Sequence, residues 1–160
     1  MRSAVLLWLL VLQVPSKPDQ SPEAILDRAA SVIRRSEPSW NLSKPICNIP
    51  PLMDEQEAFS CGNVQVGPGV PTTIVASVTV HQIINPAAVS RWMTNLPAQS
   101  PVGWVVVPYD LGVPAYLSTM QGTARAGITF GKGRFVVTVN GASKMDVERI
   151  ARFLLGQIAD

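Results

Sequence analysis

Residues 126–158 read AGITFGKGRFVVTVNGASKMDVERIARFLLGQI, and this stretch decides the fold. Ala126, Ile128 and Phe130 alternate with Arg125, Gly127 and Thr129. After Gly131-Lys132-Gly133 the alternation resumes, with Phe135, Val137 and Val139 set against Val136, Thr138 and Asn140. Two alternating runs joined by a short glycine-containing turn predict a β-hairpin with one apolar face. Asn140-Gly141 is expected to end the second strand. Ser143 then caps a helix with Asp146 at its third position, where a carboxylate suits the helix start. Val147, Ile150, Ala151, Leu154 and Ile158 share one stripe of that helix, so stripe and hairpin face should bury each other.

Upstream, the chain is less regular. Ser21-Pro22 is a helix start with Glu23 and Asp27 near its positive end and Arg34 and Arg35 at the other. Leu26, Ala29 or Ala30, and Ile33 recur at helical spacing, which predicts a helix over 22–35. Residues 72–83 alternate as a half-buried strand, with Ile74, Ala76, Val78 and Val80 on one side and Thr73, Ser77, Thr79 and His81 on the other. Asn85-Pro86 opens a short helix to about Leu96. Residues 102–107, VGWVVV, are apolar on both faces and read as a central strand, followed by a turn at 108–112 and a strand over 113–119. Clustered strands joined by turns imply an α+β fold: a mostly antiparallel sheet of about five strands, helices packed on one face, in two layers.

Residues 37–70 hold five prolines and both cysteines, Cys47 and Cys61, and read as an irregular loop. The start of the chain explains how that loop would be pinned. Arg2 precedes the apolar run AVLLWLLVL (4–12), and Val14 and Ser16 offer a small or branched exit pair. This is the layout of a secretory signal over residues 1–16, with cleavage after Ser16. The run is about half the roughly 20 residues that span a bilayer, so no stable membrane anchor is expected. An exported chain meets an oxidising compartment, secreted or periplasmic, where an even cysteine pair forms a disulfide. Closing a loop of that length stabilises by about 3 kcal/mol in the chain-entropy model. The organisation expected is a signal at 1–16, a polar leader and first helix at 17–36, the disulfide loop at 37–70 and an α+β core at 71–160, with 17–160 one domain.

Chemistry-bearing motifs are scarce. Net charge is +2, which excludes a nucleic-acid protein that works by electrostatic attraction. No cofactor or metal is expected: there is no C-x-x-C, and His81 is the single histidine. Asp54, Glu55 and Glu57 lack the spacing of a calcium loop and read as a solvated cluster. Gly131-Lys132-Gly133-Arg134 joins strands and opens no helix, so it is turn chemistry and not a phosphate loop. His81, on the polar side of its strand, is expected to be a surface residue; paired with a carboxylate such as Asp110 it would serve a small secreted hydrolase. Trp104 is expected in the core. In the 61 residues beginning at Val64 and ending at Ala124, only Arg91 and Asp110 carry charge. That poverty favours a non-enzymatic binding module which meets a protein partner or an apolar ligand there, over the hydrolase.

Overall fold

The computed structural model describes residues 20–47, 57–66 and 74–159. The signal expected at 1–16 with its cleavage site, and Asp54 and Glu55, lie outside the described residues. Twelve elements follow in order: α1 (Pro22–Ser36), β1 (Asn41–Leu42), β2 (Ile46–Cys47), β3 (Glu57–Val66), β4 (Ile74–Ile83), α2 (Pro86–Asn95), a 3-10 turn (Leu96–Gln99), β5 (Trp104–Pro108), β6 (Ala115–Met120), β7 (Ala126–Lys132), β8 (Phe135–Gly141) and α3 (Lys144–Leu155). The fold is α+β with an antiparallel sheet. Its strands run β1-β3-β4-β8-β7-β6-β5, with β2 also paired to β3.

The helix starts form as their caps dictate. Ser21 Oγ accepts from the Ala24 amide at 3.2 Å, Asn85 Oδ1 from Ala87 at 3.0 Å, and Ser143 Oγ from Asp146 at 3.2 Å. Each contact satisfies an N–H that the first helical turn leaves without a partner. Gly133, at φ +59°, takes the left-handed turn of the β7–β8 hairpin, where a side chain would be strained. Ala126, Ile128, Phe130, Phe135, Val137 and Val139 form one buried cluster with Val147, Ile150, Ala151, Leu154 and Ile158, as the patterns required. Ile25, Leu26, Ala29 and Ile33 of α1 complete it. Polar contacts bind the same layer. Arg149 pairs with Glu37 and Asp146 and lies 5.0 Å from the Trp40 ring centre, so the end of α1 is clasped to α3. Lys132 Nζ donates to the Ile158 carbonyl at 2.6 Å, so this lysine secures the chain after α3 and is more than a turn residue.

The five expected strands are β4 to β8, but the sheet is wider. Three further strands arise from the segment read as an irregular loop. β3 lacks an apolar alternation, yet β4 carries a second row of backbone N–H and C=O groups that need partners, and β3 supplies them along ten residues. β8 continues through Gly141 instead of ending before it. VGWVVV is not central: β5 is the edge strand, with Val105 and Val107 exposed and Val102 fully so. The order of strands puts it there, because β5 to β8 fold back as a meander that ends beside β4.

α1 and α3 share one face of the sheet, while α2 sits on the other. The link from β4 to β5 must pass β8, β7 and β6, and the first face is already filled. Val89 and Met93 of α2 pack with Ile83 and Val136 in a second, smaller core. A Cβ on Gly131 would come within 2.8 Å of Val89, so glycine there lets the helix approach the sheet.

Candidate functional site

The polar phases of β4, β7 and β8 point to the second face. Cross-strand register arranges it in rows: Ser77 opposes Asn140, Asn140 opposes Gly127, Gly127 opposes Ser118, and Ser118 opposes Val106. A parallel row holds Thr79, Thr138, Thr129 and Tyr116, and the Thr129 and Thr138 hydroxyls share a hydrogen bond of 3.2 Å. Beyond it lie His81, Val136 and Gly131, which α2 covers. α2 has ten residues and shields that end of the face alone.

Over the first row the face stays open, and a cleft of about 610 Å³ results. Ser77, Asn140 and Ser118 form its floor, Trp104 and Val106 one side, and Leu96, Gln99, Ser100 and Pro101 the wall that follows α2. Ile74, Arg125 and Ala142 also line it. The residues of this floor are small, and beside them Gly127 has no side chain, so the Asn140 amide oxygen lies 2.4 Å from where a Cβ there would be. The volume is within the usual range for small-molecule sites, which combine an apolar lining with a few polar groups. Of the fourteen described residues that line it, nine fall in the charge-poor stretch 64–124.

The residues singled out from the sequence have different places. His81 is 5% exposed, not a surface residue, and its ring lies 5.0 Å from that of Trp92. It faces α2 rather than solvent because the polar phase of β4 runs beneath that helix. Asp110 is exposed in the β5–β6 turn, where its carboxylate accepts from the Gly112 amide at 3.2 Å. β4 and β5 are four strand spacings apart, or roughly 19 Å, so His81 and Asp110 are not brought together. Trp104 lines the cleft and is half-buried, not a core residue. Cys47 and Cys61 are register partners in β2 and β3, and directly opposed antiparallel residues have Cα atoms about 4.5–5.5 Å apart, the range a disulfide needs.

Replacing His81 by Ala should cost about 2 kcal/mol, since it empties a site between β4 and α2; thermal or denaturant unfolding reads the loss. A change below about 0.5 kcal/mol would place His81 at the surface instead.

A second polar group lies on the helix-covered side. Burial and then the Glu148 hydrogen bond push the Tyr109 hydroxyl up, while that bond and then Arg152 hold the Glu148 carboxyl below its ordinary range. Arg152 Nη2 donates to Glu148 at 3.0 Å. A lowered carboxyl steadies the fold above the ordinary carboxylate range and ceases to as pH falls through its folded-state value. At the surface this effect is small, and it fastens a turn to α3 without forming a pocket.

Sequence reasoning did not single out Ser77, Ser118, Asn140, Gln99 or Arg125. The signal for the first three was the polar phase of their strands, and the charge-poor stretch marked the region. No protein-family model matches the chain, and neither does any curated protein. Among the described residues no helix is long and apolar enough to cross a membrane.

Proposed function

We propose that this is an exported, non-enzymatic binding domain that holds a small, mainly apolar ligand in the cleft between the open sheet face and the segment after α2. The observation that carries the reading is the row Ser77, Asn140, Gly127 and Ser118, kept free of large side chains while α2 covers the neighbouring end. A face with no task would be filled by packing or solvated by charge, and this one is neither. Among the described residues its lining offers hydroxyls, amides, one guanidinium and apolar surface, but no His, Cys, Asp or Glu to act as base. Ser118→Phe puts a ring into the cleft from a strand position that tolerates it. Titration with an apolar fluorescent probe should show binding lost, with unfolding shifted by less than about 1 kcal/mol. Retained binding would locate the ligand elsewhere.

Export is supported by the Arg2 start, the short apolar run and the opposed cysteines. Mass spectrometry of the protein from its own host should find an N-terminus near Lys17 and a Cys47–Cys61 bond. An intact Met1 form with free thiols would defeat both proposals.

A further inference from the structure

We infer that the ligand is an organic anion of amphipathic shape, its charged group held by Arg125 and its flat apolar body laid against Trp104. This rests on the cleft being a ligand site and adds the charge and orientation of what enters it. Among the described residues lining the cleft, Arg125 is the one that carries charge. Among the described residues it has no ion pair, whereas Arg149 and Arg152 are both engaged by carboxylates. A cation is unfavourable there, because no carboxylate among the described residues lines the site to receive it. An anion instead meets a surplus of donors: the guanidinium, the Asn140 amide on the floor, and the Ser77 and Ser118 hydroxyls.

The placement of the two ends is fixed by register. Trp104 opposes Met120, and the Met120 amide donates to the Arg125 carbonyl at 3.2 Å, so Met120 lies between them. Arg125 and Trp104 therefore stand two strand spacings apart, roughly 10 Å. A carboxylate or sulfonate on one or two fused rings spans that distance. Trp104 brings an indole to the lining, and Leu96 and Val106 of the same lining are apolar.

A matched pair of probes tests the inference on the purified protein: anilinonaphthalene sulfonate, which is anionic, and N-phenylnaphthylamine, which has a similar body and no charge. Both should bind with one site per chain, the anion more tightly. Arg125→Gln should weaken the anion about threefold to tenfold and leave the neutral probe within about twofold, the scale of losing a charge-assisted contact from an exposed side chain. Arg125→Lys should restore part of the difference. Trp104→Leu should weaken both probes, and raising the salt should weaken the anion alone. An anion-to-neutral affinity ratio unmoved by Arg125→Gln, with both probes still lost in Ser118→Phe, overturns the charge inference and leaves the ligand site standing. Failure of both probes to bind, or binding insensitive to Ser118→Phe, overturns the two together.

Discussion

Phe130→Ala should lower the unfolding free energy by about 3–5 kcal/mol, the range for emptying a large aromatic site. Phe130 has no exposed surface and is the largest of the fully buried side chains. It projects from β7, between β6 and β8, into the cluster that α1 and α3 close. Strands on either side are fixed by backbone hydrogen bonds and cannot close in on the space left, so the cavity persists. Leu154→Ala, which removes a helix contribution to the same cluster, should cost about 2–5 kcal/mol. Met145→Ala is the control, since Met145 begins α3 on its exposed side and should change stability by less than about 0.5 kcal/mol. Denaturant unfolding with a common slope measures all three. Equal small effects would mean that the helical layer does not rest on the hairpin. A domain is typically stable by about 5–15 kcal/mol, so the expected loss at Phe130 is a large share of the whole.

Gly141→Val should cost about 3 kcal/mol or more, although it adds apolar volume at the end of a strand. A Cβ at Gly141 would lie 2.6 Å from the Val75 carbonyl oxygen and 2.8 Å from a Val147 methyl. Neither can yield easily: the oxygen belongs to the backbone and accepts from the Ala142 amide at 3.1 Å, and Val147 is fully buried in the first turn of α3. Gly141 is opposed by Ala76 on one side and Ala126 on the other, so β4, β8, β7 and α3 all converge on this position. Gly127→Ala provides the contrast. Its Cβ would meet the Asn140 amide oxygen at 2.4 Å, but that is the free end of a side chain that can rotate into the cleft. A loss of less than about 1 kcal/mol is expected there. Comparable losses at the two glycines would show that the close approach at Gly141 is not the reason glycine occupies it.

The wider lesson lies in which elements were legible. The β7–β8 hairpin, α1 and α3 were readable because caps, turn glycine and apolar period all act within a few residues and agree. The three-strand extension at the other edge was not, because β3 owes its strand state to the pairing needs of β4, a partner it meets only in the folded sheet. VGWVVV misled for a related reason. Apolarity on both sides of a strand signals burial on both faces, but β5 has edge position, and its inner side chains line a cleft instead of a core.

The sequence alone determined the caps and turn of α1, α3 and the β7–β8 hairpin, the direction in which the apolar sides of β4, β7 and β8 face, and the charge-poor stretch that supplies part of the cleft's described lining. It did so because period and capping are set by neighbours along the chain. Tertiary structure alone decided which polar residues were to be covered. His81 and Ser77 stand in the same phase of one strand, yet His81 is sealed beneath α2 and Ser77 floors an open cleft. Their difference arises from the length of α2 and the path it must take across the sheet from β4 to β5, which places ten helical residues over one end of the face and leaves the other uncovered.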